Sequence, residues 1–304
     1  NVNFDSEKII QMIRRAYVLK EKARALFLQG YRQAYKKDFQ GDLPVCASWI
    51  PMKSREGLID QGRKAGILHD TSNNEDIRSL REILLYGLKG MAAYADHAHV
   101  LGTQEDAVNA FFYKGLAALS DDSLGVGDLV ALIMEFGKVN FKCLELLDTA
   151  HTRHFGHPVP TKVFLGVKKG PAIVVSGHDL LDLEQLLRQT AGKGIHVYTH
   201  SEMLPAHGYP GLKKYPHLAG HFWSAWQNQQ KEFDAFPGAI LFTTNCIQKP
   251  QGSYKDRVFT TGLVSWPGVA HIQEKNGKKD FSPLIEKALK LGGFQEENTE
   301  KEIM

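Results

Sequence analysis

Cysteine is scarce in this chain. Its 304 residues include three, at positions 46, 143 and 246, and no C-x-x-C pair. That usage gives no disulfide framework and suits a reducing compartment. No run approaches the roughly 18 apolar residues of a membrane span, and no signal peptide opens the chain, so a soluble cytoplasmic protein is the expectation. Charge of one sign is missing as well. The net charge is +3 and the basic residues are scattered rather than striped, which argues against a nucleic-acid partner. Several signatures of chemistry are also absent. Gly177, Gly192 and Gly194 do not make the G-x-G-x-x-G of a dinucleotide site, and there is no H-E-x-x-H zinc helix. His200 and Glu202 form an H-x-E pair, but the P-C-x-x-C of zinc deaminases does not follow it.

What is present is an ordinary globular composition, 43% hydrophobic and 23% charged, long enough for two cores. Residues 1–157 carry a helical rhythm. Ser6 to Leu28 places apolar side chains at Ile9, Ile10, Ile13, Tyr17, Leu19, Ala23, Leu26 and Phe27. A second helix opens with Asn73 or Asn74 as cap and Glu75 and Asp76 in its first turn. Ile77, Leu80, Leu84, Leu88, Met91 and Ala95 form its buried stripe, and Gly87 and Gly90 within it predict close approach of another helix. Further helices are expected over 105–119 and 126–149. An antiparallel helical bundle is the economical reading.

The periodicity changes after His157-Pro158-Val159-Pro160. From there strand-like runs at 172–176, 195–199, 217–221, 239–244 and 257–262 alternate with helical ones at 179–190, 204–214 in part, 223–234 and 281–291. That alternation predicts βαβ units and a mostly parallel, Rossmann-like sheet over 158–304. The polar segment 293–304 reads as a frayed end. Phe222, Trp223, Trp226 and Phe233 are expected to shield a face of the sheet, and Cys143 to lie in the helical core.

Three residues stand just past strand-like runs. His178 follows AIVV (172–175), Glu202 follows IHVYT (195–199), and Cys246 closes AILFTTNC (239–246). Ligands of an open parallel sheet bind beyond the carboxyl ends of its strands. An imidazole, a carboxylate and a thiolate meeting there make a mixed donor set that suits a transition metal. The position of His178 at a helix start favours a neutral ring, the form a metal needs. A carboxylate such as Glu202 is a ligand that can shift to admit substrate, which makes it the candidate catalytic group. His200 and His207 flank it as candidate donors to the ligands, with Asn245 beside the thiol. The plainer alternative is a turn histidine with Asp179 as helix cap, a solvated glutamate and a buried cysteine. A cysteine nucleophile with His178 as its base is a more distant one.

Longer stretches narrow the choice. SGHDLLDLEQLLRQT (176–190), VYTHSEMLPAHGYPGLKKYPHLAGHF (197–222), SAWQNQQKEF (224–233), GAILFTTNCI (238–247) and VSWPGVAHI (264–272) closely resemble the hybrid-cluster or prismane proteins, the hydroxylamine reductases. TSNNEDIRSLREILLYGLKGMAAYADHAHVLG (71–102) and TAHTRHFGHP (149–158) agree, so the resemblance runs from Asn3 to about Asp280. It implies that His178, Glu202 and Cys246 ligate a hybrid iron–sulfur–oxygen cluster. It also implies an N-terminal cysteine-rich segment with a second iron–sulfur cluster and a third domain with further ligands. Neither is present between Asn1 and Met304, so the chain is expected to be an internal fragment, inactive alone. The parent is expected to reduce hydroxylamine, or nitric oxide, in nitrosative stress, with electrons from a reductase that is NADH-linked in some relatives. A carbon monoxide dehydrogenase-like nickel–iron site and a non-catalytic scaffold are the other readings. Glu202 in a ligand position counts against the nickel–iron site.

Overall fold

The computed structural model describes residues 2–65 and 74–298 and the backbone of 302–303. It separates into two compact units. One comprises Ser6–His99 with Thr103–Leu147, and the other Asn1–Asp5, Val100–Gly102 and Asp148–Met304. No helix among the described residues is long and apolar enough to cross a membrane.

The first unit is helical, with α1 (Ser6–Tyr35), α2 (Val45–Ser48), α3 (Arg55–Arg63), α4 (Glu75–Val100), α5 (Asp106–Ala118) and most of α6 (Val126–Phe155). Two helices outrun their expected ends for lack of a breaker. α1 continues to Tyr35, and Lys36 closes it at φ 56°. α6 continues to Phe155, and Gly156 closes it at φ 84° with its N–H on the Thr152 carbonyl. Asn74 caps α4, its side-chain oxygen accepting from the Asp76 N–H at 2.7 Å, while Asn73 lies outside the described residues. Leu84, Leu88 and Met91 of α4 pack with Val108, Phe111, Leu132 and Cys143. Gly87 admits a neighbouring helix as expected, since a Cβ there would sit 2.6 Å from the Phe136 ring. Gly90 does not, having nothing within 4 Å.

The second unit is built on strands β1 (Val163–Phe164), β2 (Ala172–Ser176), β3 (His196–His200), β4 (Leu218–His221), β5 (Ala239–Phe242), β6 (Val258–Thr261) and β7 (Ala270–Ile272). Strands β2 to β7 form one sheet in the order β4-β3-β2-β5-β6-β7, and every pairing is parallel. The chain runs outward from β2 to β4, then restarts on the other side of β2 with β5. The switch point of this Rossmann-like order therefore lies between β2 and β5. Helices α7 (Leu180–Thr190), α8 (Pro210–Lys213), α9 (Gln229–Ala235) and α10 (Ser282–Leu291) accompany it.

All five residues of β2 are buried, which a sheet covered on both faces requires. Ile173, Val175, Val197 and Leu241 pack with Leu183, Leu186, Leu187, Leu284 and Ile285. Val174, Tyr198, Ile240 and Phe242 pack on the other face with Phe222, Phe233, Phe236 and Tyr254. Two expectations fail here. Trp223 and Trp226 are 47% and 40% exposed, so only the two phenylalanines of that aromatic group shield the sheet. The segment after 293 is not frayed throughout. Phe294 and Asn298 exchange backbone hydrogen bonds with Gly170 and Val167, and the Phe294 ring meets Tyr198, Phe222 and Phe236. One aromatic anchor outweighs the polar composition around it. Strands β8 (Glu274–Lys275) and β9 (Lys278–Lys279) form a hairpin, and β10 (Glu302–Ile303) pairs with β1.

Candidate metal centre

Each donor stands on a loop whose backbone is held in an unusual shape. Past β2, Gly177 has φ 121°, and a Cβ there would lie 2.3 Å from Thr243 Oγ1 and 2.9 Å from the Thr244 nitrogen. Only glycine fits this approach of the β2 and β5 loops. The His178 N–H then donates to Thr244 Oγ1 at 2.8 Å. Asp179 caps α7 by accepting from the Asp182 N–H at 2.9 Å. Past β3, Ser201 has φ 54° and opens the 3₁₀ helix Ser201–Gly208 that carries Glu202. Past β5, Cys246 itself has φ 63°. Left-handed backbone at non-glycine residues costs free energy and gathers at functional sites.

Those turns bring the three side chains together at the carboxyl edge of the sheet, beside its switch point. Cys246 Sγ donates to Glu202 Oε2 at 3.5 Å, and His178 Nε2 lies 4.0 Å from the same oxygen. One ligand atom from each of the three residues lies within 4.8 Å of the others, and among the described residues this is the one such group. Ligands about 2.0–2.3 Å from one ion stand roughly 3.3–3.8 Å apart at tetrahedral angles, so modest side-chain movement closes the set on a metal. His178 and Glu202 are exposed and Cys246 is half-buried, which leaves an open side.

The electrostatics ask for a cation. Burial, and then the Glu202 carboxylate, push the Cys246 thiol up to about 11. Burial also works to raise Glu202, but hydrogen bonds from Ser201 and Cys246 and the nearby His178 outweigh it and hold the carboxyl below its ordinary value. A metal ion would reverse the thiol's position, because a coordinating thiol is deprotonated outright. Nitrogen, oxygen and sulfur donors at this spacing thus fit iron or another transition metal. They make up part of a multi-iron cluster's requirement, not the whole of it.

The flanking histidines sit deeper. His200 is fully buried, with Nε2 on Glu232 Oε2 at 2.8 Å and Nδ1 on Ser176 Oγ at 3.3 Å. His207 Nε2 and His221 Nδ1 both meet the Thr199 hydroxyl at 2.9 Å. Burial drives both rings down to about 4, so both are neutral. His200 and His207 brace β3 beneath Glu202 and do not hydrogen-bond the donors themselves. Asn245 accepts from Thr244 Oγ1 at 3.4 Å.

Sequence reasoning missed the groups that shape the loops: Thr243, Thr244, Ser201 and Gln229. The Ser201 hydroxyl donates to Glu202 at 2.9 Å and accepts from the Trp226 N–H at 3.1 Å. All four lie in stretches quoted above for the family resemblance, which does not by itself give them a role. Gln229 lies within the stretch SAWQNQQKEF (224–233), but nothing in that stretch marks it as a partner of Cys246.

Comparison with known proteins shows what the whole chain is similar to. The pattern of the Prismane/CO dehydrogenase family matches residues 1–303. A hydroxylamine reductase of Kosmotoga olearia is 53% identical over 306 residues, covering all of this chain and 55% of the relative. Those of Syntrophobacter fumaroxidans and Geobacter sulfurreducens are each 52% identical, again over the whole chain and 54% of the relative. The chain thus spans about half the length of the curated relatives it matches.

Proposed function

The chain belongs to the Prismane/CO dehydrogenase family, and from that premise we propose that it forms part of an iron–sulfur enzyme that reduces hydroxylamine. The supporting observation is the convergence of His178, Glu202 and Cys246 at one edge of the sheet. The names of the relatives supply the substrate. The reaction takes up two electrons and two protons and yields ammonia and water; nitric oxide is a second substrate under the same proposal. Cys246 would give a soft thiolate to iron, His178 a neutral imidazole, and Glu202 an oxygen ligand able to shift. When bound, a hybrid iron–sulfur–oxygen cluster supplies an electron store and Lewis-acidic iron. This chain's own part would be to hold three of its donors on hydrogen-bonded loops and to keep one side of the site open.

A second iron–sulfur cluster, held outside these residues, and an electron-donating reductase, NADH-linked in some relatives, complete the proposal. A cytoplasmic setting goes with it, in keeping with the free and exposed thiol of Cys46. A nickel–iron site of the carbon monoxide dehydrogenase kind is the second reading, since the family's own name includes it. It is disfavoured by Glu202 in the donor set.

The test is iron, sulfide and nickel content beside hydroxylamine reduction, on anaerobically purified longer protein containing this region. Cys246→Ala should lower iron and turnover together. Glu202→Gln should lower turnover more than iron. Nickel at one per chain would favour the second reading. The 304 residues alone should not hold stoichiometric iron, because cluster binding is coupled to the full ligand set. Dye oxidation by hydroxylamine with this chain alone would break that part of the proposal.

A further inference from the structure

Cys246 is the one donor whose own backbone is left-handed, at φ 63°. Something must hold it there against the cost of that conformation. The clamp visible in the structure is Gln229, a fully buried side chain on the first turn of α9. Its Nε2 donates to the Cys246 carbonyl and to the Trp226 carbonyl, the latter at 3.2 Å. Its Oε1 accepts from the Gln248 N–H at 2.9 Å. The carboxamide therefore grips the loop at the Cys246 carbonyl and again two residues on, on both sides of Ile247.

The same hub reaches the carboxylate donor. The Trp226 carbonyl also accepts from Gln248 Nε2 at 3.0 Å, and the Trp226 N–H donates to Ser201 Oγ at 3.1 Å. Ser201, at φ 54°, donates in turn to Glu202. One continuous set of hydrogen bonds thus joins the two loops that carry the sulfur and oxygen donors. Its central member is a glutamine that touches neither donor atom.

We infer that Gln229 is a positioning residue for the candidate metal centre, holding Cys246 in the backbone conformation that aims its sulfur at Glu202 and His178. This rests on the metal reading above. It adds that the site's sulfur is placed from α9 and not by the strand that precedes it.

Cobalt(II) added to the metal-free chain tests it, because only sulfur ligation gives an intense near-ultraviolet thiolate-to-cobalt band. Gln229→Met keeps the volume and removes all three hydrogen bonds. It should lose that band and weaken cobalt binding by about tenfold or more, as losses around metal ligands do. Gln230→Met is the control, since Gln230 bonds only Lys249 and Gln251 of the same loop; it should keep both band and affinity. Gln229→Glu keeps the acceptor for Gln248 but turns an oxygen toward the two carbonyls, and should behave like Gln229→Met. It replaces that variant if circular dichroism shows the latter unfolded.

A metal-free measurement separates this inference from its premise. In a Cys46→Ser background, alkylation of Cys246 should be several-fold faster in Gln229→Met than with Gln229 intact. If the parent chain shows no sulfur band, the metal reading fails and the alkylation rates decide the clamp. Equal bands, or equal alkylation rates, with and without Gln229 would overturn the inference.

Discussion

The helical unit and the sheet unit treat apolar side chains differently. α1 runs 30 residues without burying one of them, and Leu26 on it is 69% exposed. β2 runs five and buries them all. A helix satisfies its backbone hydrogen bonds internally, so one face can remain in water. A parallel sheet is covered on both faces, and any polar group caught between the layers must find a partner or lose its charge. That is where the chemistry of this chain collects. Asp182 meets Lys279, His200 meets Glu232, and one threonine hydroxyl serves two histidines. The helical unit has Cys143 in its core, bonded only to a carbonyl. Burial on both sides is thus the condition under which this sequence pairs polar groups inside the fold, while the exposed donors His178 and Glu202 stand just beyond the covered strands.

The sharpest way to break that contrast is to orphan a buried charge. Lys279 Nζ donates to both oxygens of Asp182 at 2.6 and 2.8 Å, and both residues are buried. Burial and Asp179 push the Asp182 carboxyl up, while Lys279 opposes them. Lys279→Met leaves Asp182 alone inside and should cost about 3–5 kcal/mol in denaturant unfolding. Adding Asp182→Leu should recover most of that loss. A single variant within 1 kcal/mol of the parent chain would show that the pair is not a constraint of the sheet unit.

The buried histidines make the contrast depend on pH. Free imidazoles take up protons near 6.5, whereas His207 and His221 in the fold do so only at about 4. Between these values the unfolded chain binds more protons than the folded one. The histidines' contribution to stability is therefore complete above about pH 6.5 and falls as the pH drops toward 4, by roughly 3 kcal/mol per ring at the low end. His196 and His217, also lowered by burial, act in the same direction. Unfolding free energies measured from pH 7 to pH 5 should decline. Asp182, pushed up to about 7, acts in the opposite direction over this range. The comparison is therefore made in the Asp182→Leu/Lys279→Met background, where a flat profile would mean that these rings take up protons in the fold as free imidazoles do.

Much of the sheet unit could be read in advance, because AIVV, AILF and their neighbours are continuous buried runs with donors just beyond them. The convergence of His178, Glu202 and Cys246 was expected from strand direction together with the family resemblance. What stayed hidden depends on contacts distant in sequence. The turn at Gly177 is shaped by Thr243, the Cys246 loop by Gln229, and the return of the chain by Phe294, none of which announces its partner. β7 is three residues long and only partly buried, too short for a period to register. The long helices were legible and the short α2 was not, and the ends of α1 and α6 escaped notice because no proline interrupts them before Lys36 or Gly156. Glycine within α4 was an ambiguous signal. Only Gly87 meets a partner side chain, and spacing cannot choose between it and Gly90.

Cys143→Ala sharpens the comparison with Cys246. Cys143 is fully buried, and burial pushes its thiol up. Its replacement should cost about 1 kcal/mol of packing and leave the iron content of the longer protein unchanged. If Cys143→Ala and Cys246→Ala lower iron alike, the assignment of the sulfur donor is lost.

The smallest effect is expected where the two units differ most. Leu26 lies on the exposed flank of α1 with more than two-thirds of its surface in water. Leu26→Gln exchanges two good helix formers of similar reach, so helix propensity changes little. No cavity opens, because no core atom rests on the side chain, and the polar amide keeps its bonds to water. The change in unfolding free energy should stay within about 0.5 kcal/mol. Val174→Gln in β2, by contrast, would bury an unpartnered amide in a fully covered strand, and should cost several-fold more than about 1 kcal/mol. The pair of measurements isolates burial from composition, since each removes one branched apolar side chain in favour of the same amide. A loss of more than 1 kcal/mol at Leu26 would mean that the flank of α1 is covered in solution, and the contrast between the two units would then be one of partners and not of architecture.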